Sequence, residues 1–113
     1  VRLQRRREFL AAARGRKAAA AGFVLQACPR PGDGFVSGVG FTVTRKIGGA
    51  VVRNRARRRL REAARLLPAQ LLAPGFNYVV VARPAALTCP FPQLRSDLEA
   101  CLRKLAPASP RAG

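Results

Sequence analysis

The chain has 113 residues, 49% of them hydrophobic, which is enough for one compact domain with its own core and no more. Its 22 basic residues face 5 acidic ones and no histidine, for a net charge of +17. That balance calls for a polyanionic partner, and it leaves little chemistry for a metal centre or a histidine-dependent nucleophile.

Arg2 to about Ala13 has helix-favouring residues, with an apolar stripe predicted at Leu3, Phe9 and Leu10 and a stop at Gly15. Phe23–Ala27 reads as a strand, and the run from Pro29 to Gly34 as a turn. Val39–Arg45 alternates, so Phe41 and Val43 should point one way and Thr42 and Thr44 the other. Gly48-Gly49 breaks that strand, and a helix follows from about Ala50 to Leu67, stopped by Pro68. Phe76–Ala82 is apolar enough for a central strand. A last helix is predicted from about Pro92 to Leu105, with Leu94, Leu98, Cys101, Leu102 and Leu105 on one stripe. Residues 106–113 read as a flexible tail behind a 1–105 domain. The order helix, strands, helix, strand, helix gives a single α+β sandwich, with helices expected over one face of a small sheet.

The most informative segment is Lys46 to Glu62 and its continuation. Arg53, Arg55, Arg57, Arg58, Arg59, Arg61 and Arg65 surround Asn54, and Glu62 is the sole local acid. On a helical wheel at about 100° per residue, Val52, Ala56, Leu60, Ala63 and Leu67 gather in one arc. Asn54, Arg57, Arg58, Arg61 and Arg65 gather opposite, and Arg53, Arg55 and Arg59 flank the apolar arc. A solvated helix of this charge would normally carry mixed signs that pair along the helix. This one repels itself without an external anion. A membrane-surface helix would need a broad face of large apolar residues, which Leu60 and Leu67 do not supply.

Three functional readings compete. A self-sufficient nuclease would need clustered carboxylates or histidines, whereas Glu8, Asp33, Glu62, Asp97 and Glu99 are scattered. Cys28, Cys89 and Cys101 are odd in number and widely spaced, which disfavours a zinc site or a disulfide framework. A general or ribosomal RNA-binding protein fits the charge. So does a dedicated subunit of an RNA-processing particle. No apolar run approaches a membrane span, and no signal-peptide core follows the start, so a cytoplasmic location is expected.

The run Lys46-x-Gly48-x-Ala50-Val51-x-Arg53-Asn54-Arg55, followed by Arg57, Arg58, Arg61 and Glu62, resembles the signature of the bacterial ribonuclease P protein component. Leu3 and Phe9 upstream, the strand Val39-Gly-Phe-Thr-Val-Thr44 and the strand Tyr78-Val-Val-Val-Ala-Arg-Pro84 extend the resemblance over most of the chain. It implies an α-β-β-β-α-β-α fold with a left-handed βαβ crossover around the arginine helix. It implies a subunit that binds ribonuclease P RNA and the 5′ leader of precursor tRNA, while the RNA performs the hydrolysis. Mg2+ is then expected at the RNA active site, with no cofactor bound by the protein. Carried onto this chain, Lys46, Arg53, Asn54, Arg55, Arg57, Arg58, Arg61 and Arg65 would face the RNA. Phe9, Gln26, Thr42 and Thr44 would line the leader cleft. Three positions depart from the family pattern. Ala13 stands where a second aromatic is frequent, Gln26 where a Tyr is frequent, and Gly49 where Asn is common. The arginine face and the cleft are expected on different sides of the domain, so that mutations should separate them.

Overall fold

Odd–even alternation along the strands divides the sheet into two unlike faces. The structure, a computed structural model, describes residues 2–31 and 36–106. Its elements are α1 (Arg6–Ala13), β1 (Arg16–Ala19), β2 (Phe23–Pro29), β3 (Gly38–Thr42), α2 (Ala50–Arg65), β4 (Phe76–Ala82) and α3 (Phe91–Lys104). Short 3-10 turns occur at Arg45–Ile47, Ala69–Leu71 and Pro84–Leu87. The four strands lie in the order β1-β2-β4-β3. β2 runs antiparallel to both β1 and β4, whereas β3 and β4 pair in parallel. The parallel pair forces a crossover, and α2 is that crossover.

Phe23, Leu25 and Ala27 of β2 join Tyr78, Val80 and Ala82 of β4 in the main core. Ala56, Leu60 and Ala63 of α2 and Leu94, Leu98, Cys101 and Leu102 of α3 pack against them. Val79 and Cys28 point the other way, into a smaller cluster with Leu3 and Ala12, against which Phe9 and Val81 pack. The helices therefore do not share one face, as the sequence pattern predicted: α2 and α3 cover one side and α1 lies on the other. β4 is covered on both faces, and its run Asn77–Val80 is buried throughout.

Three boundaries differ from expectation for identifiable reasons. Residues 2–5 are not helical. Leu3 donates its N–H to the Val39 carbonyl at 2.9 Å, and Arg2 forms a bridge with Val39. The helix begins later because the Glu8 carboxylate accepts from the N–H of Arg5 at 3.0 Å and of Gln4 at 3.2 Å, which anchors the N-terminus there. On α1 the buried position is Ala12, at 0% exposure, while Leu10 of the predicted stripe is 48% exposed. β1 is a strand that periodicity misses. Arg16-Lys17-Ala18-Ala19 has little strand propensity, and pairing with β2 makes it one. Finally, β3 ends at Thr42, and α2 ends at Arg65. The turn predicted to run to Gly34 and the tail predicted to begin at 106 extend, at 32–35 and 107–113, outside the described residues.

Candidate nucleic-acid interface

The approach to α2 explains the glycine of the signature. Gly48 follows the 3-10 turn that carries Lys46 and has φ +150°, a conformation L side chains rarely adopt. That turn aims the chain into α2 and leaves Lys46 exposed beside its first residues. Ala56, Leu60 and Ala63 then bury one stripe, as the wheel predicts, while Val52 at the near end remains 36% exposed.

The arginines are chemically identical in sequence but not in place. Arg59 turns inward and donates to the Ala86 carbonyl at 2.6 Å and to the Cys89 carbonyl at 2.5 Å. It clamps α2 to the segment before α3 and is not free to meet a ligand. Arg65 donates from Nε to Glu62 at 3.1 Å and makes a second bond to the same carboxylate. The hydrogen bond from Arg65 holds the Glu62 carboxyl below its ordinary value. Much of the Arg65 charge is thereby answered within the helix. Arg57 donates to the Asn54 side-chain oxygen at 3.0 Å, a neutral partner that orients it without neutralising it. Arg53 is half buried, and its Nε is enclosed with no hydrogen-bond partner among the described residues. Arg55, Arg58 and Arg61 are exposed. Five guanidiniums of α2 thus present charge uncompensated by any acid among the described residues: Arg53, Arg55, Arg57, Arg58 and Arg61.

These groups divide between two flanks of the helix. On one flank Arg57 and Arg61, one turn apart, line a cavity of about 250 Å³ with Arg2, Phe9, Gly40 and Phe41. On the other, Arg55, Arg58 and Arg59 line a cavity of about 390 Å³ with Glu62 and Phe91.

The α1 side of the sheet carries the second group of candidate residues. In register across the strands, Lys17 of β1 lies beside Gln26 of β2, Gln26 beside Val79 of β4, and Val79 beside Gly40 of β3. The next row is Ala19, Val24, Val81 and Thr42. The Phe9 ring lies directly on Gly40: a Cβ added there would stand 2.7 Å from two ring atoms, so a side chain at this position would displace the aromatic. Phe9, Gln26 and Thr42 consequently share one face. Thr44 lies beyond the end of β3, exposed, just before the 3-10 turn. Lys17 is a residue that sequence reasoning misses. It shares the face of Gln26 because Arg16 and Ala18 point to the other side, Arg16 bonding the carbonyls of Lys104 and Leu105 and Ala18 entering the main core. Once the strand pairing is known, alternation finds it; without β1 nothing does.

The expectation that the arginine face and the cleft point to separate sides is corrected here. Phe9 and the pair Arg57 and Arg61 line a single cavity, so the two surfaces meet along one edge. The cause is the extended 2–5 segment, which lies along β3 and brings the start of α1 up to α2.

Other reactive groups are accounted for locally. The acids are dispersed: Glu8 lies 3.6 Å from Arg30, Glu99 pairs with Arg103 at 2.8 Å, and Asp97 accepts from Gln93 at 2.7 Å. Asp33 lies outside the described residues. Hydrogen bonds from the backbone, Arg5 first, outweigh burial and hold the Glu8 carboxyl below its usual range. No group of three or more potential metal-ligating side chains occurs among the described residues. The three cysteines are free, and burial pushes the Cys28 and Cys101 thiols up, away from the reactive thiolate. None of the described helices is long and apolar enough to cross a membrane.

Comparison with known proteins gives consistent matches. A family model described as ribonuclease P matches residues 1–106. The ribonuclease P protein component of Ruegeria pomeroyi is 46% identical over 110 residues, spanning 96% of this chain and 88% of the relative. That of Paramagnetospirillum magneticum is 48% identical over 109 residues, spanning 92% and 81%. Among solved structures, the RNase P protein of Thermotoga maritima superposes with a TM-score of 0.77 at 28% identity, covering 95% of this chain and 99% of that one. The RNase P protein of Staphylococcus aureus gives 0.75 at 26% identity, covering 93% and 94%.

Proposed function

The chain belongs to the ribonuclease P protein family, and from that premise we propose that it binds the catalytic RNA through α2 and the 5′ leader of precursor tRNA across the α1 side of its sheet. The observation that carries this reading is the set of five uncompensated guanidiniums on one helix, next to a sheet face with an aromatic ring and polar side chains. Arginine forks match phosphate oxygens bidentately, and each phosphate neutralised releases counterions. That gives affinity without reading sequence, as a subunit serving many precursor tRNAs requires.

The cleft supplies different chemistry. Phe9 offers a ring to an unstacked base, while Gln26 and Thr42 offer hydrogen bonds in adjacent rows of the same face. Lys17 adds a positive charge at the far end of the Gln26 row. With Ala13 in place of a second aromatic, the cleft relies on one ring and several polar contacts.

In this reading the protein positions two RNAs and the RNA subunit does the hydrolysis, with magnesium at its own active site. The scattered acids, each engaged with a basic or amide neighbour where described, fit a subunit without a catalytic centre. Cleavage of a precursor tRNA by the protein alone, by ribonuclease P RNA alone, and by both together at limiting magnesium tests the proposal. Efficient 5′ cleavage is expected only from the mixture. Cleavage by the protein alone would make it an enzyme in its own right. A mixture no faster than the RNA alone would return it to the general RNA-binding class.

A further inference from the structure

We infer that Arg57 and Arg61, with Arg2, form a seat for a backbone phosphate of the same leader nucleotide whose base lies on Phe9, so that α2 serves two RNAs from two flanks. This rests on the proposed leader cleft and assigns within it a site that the arginine-helix signature alone would give to the catalytic RNA.

Three observations support the assignment. First, Arg57 and Arg61 line one cavity with Phe9 and Phe41, and Arg55 and Arg58 line another on the opposite flank. Second, the Phe9 cavity is lined by three guanidiniums and, among the described residues, no carboxylate, whereas the opposite cavity includes Glu62. The site with the unopposed positive field is therefore the one that meets the leader cleft at Phe9. Third, its size, about 250 Å³, suits a fragment of one nucleotide rather than a duplex. Gly40 leaves the room that the Phe9 ring occupies against β3. Arg57 is oriented by Asn54, which leaves its remaining N–H donors for an anion, and Arg61 has no hydrogen bond or ion pair among the described residues. A phosphate held there would be contacted by charge-assisted forks while its base meets the ring. Arg55 and Arg58 keep the outer flank for the catalytic RNA.

The test is a double-mutant cycle in the assembled holoenzyme, measuring affinity for precursor tRNA and for mature tRNA with protein saturating the RNA. Phe9→Ala and Arg61→Gln should each reduce precursor affinity by roughly tenfold and leave mature tRNA unchanged. Because both serve one nucleotide, the double variant should lose less than the product of the single losses, by at least about threefold. Arg58→Ala should weaken protein–RNA assembly but, at saturation, leave the preference for precursor intact. A leader carrying one uncharged methylphosphonate at the seated position should abolish the effect of Arg61→Gln. Wild-type holoenzyme that showed no preference for precursor would overturn the cleft reading and this inference together. A normal wild-type preference with Arg61→Gln and Arg57→Gln both silent, or multiplying fully with Phe9→Ala, would overturn the shared-nucleotide site alone.

Discussion

Raising monovalent salt from about 50 to about 200 mM should weaken binding of this protein to the complex of ribonuclease P RNA with precursor tRNA by about 100- to 500-fold. The estimate follows from the partners of each arginine rather than from their number. Arg59 is committed to two backbone carbonyls and Arg65 is answered by Glu62, leaving Arg53, Arg55, Arg57, Arg58 and Arg61. Five phosphate contacts at about −0.7 to −0.9 each give a slope of about −4 in log affinity against log salt. Fluorescence-anisotropy titrations of labelled RNA at several salt concentrations measure it. Removing Arg58 should lower the slope by about one contact, and removing Arg59 in a folded protein should leave it unchanged. A wild-type slope near −1 would mean that α2 is not the binding surface.

The second large effect is on stability and concerns Arg59, the arginine that turns inward. Arg59→Ala should cost about 2–4 kcal/mol, because it deletes two charge-assisted hydrogen bonds and leaves the carbonyls of Ala86 and Cys89 to find other donors. For a domain of this size that is a large share of the total stability. Arg58→Ala, one residue earlier and exposed, should change stability by less than about 0.5 kcal/mol. Urea denaturation of the free proteins separates the two. Equal stabilities for the two variants would show that the Arg59 clamp contributes nothing in solution.

The contrast between these neighbours shows where sequence reading stops. The helical spacing of Ala56, Leu60 and Ala63 and the stripe Leu94, Leu98, Cys101 and Leu102 are legible because large and small apolar residues recur at one period. β4 is legible as a central strand for the same reason. Arg59 is not, since a guanidinium that reaches backbone carbonyls has the same name as one that reaches water. β1 is not, because only Ala18 of its four residues is buried and Arg16-Lys17-Ala18-Ala19 has little strand propensity of its own. The buried position of α1 is Ala12 rather than Leu10, since Ala12 joins Leu3, Cys28 and Val79 in the smaller cluster while Leu10 points away from it. The meeting of Phe9 with Arg57 and Arg61 depends on Arg2 and Leu3 pairing with Val39 of β3, which no periodicity encodes. The signature around Asn54 identifies the kind of surface; the fold decides which arginines belong to it.

Site-specific photo-crosslinking tests the central claim most directly. A photoreactive residue in place of Arg58 and, separately, in place of Gln26 would be carried into the holoenzyme bound to precursor tRNA. The account predicts that position 58 crosslinks to ribonuclease P RNA with or without substrate, and that position 26 crosslinks to the 5′ leader and is silent with mature tRNA. Crosslinking of position 26 to the catalytic RNA, or equally to precursor and mature tRNA, would contradict it.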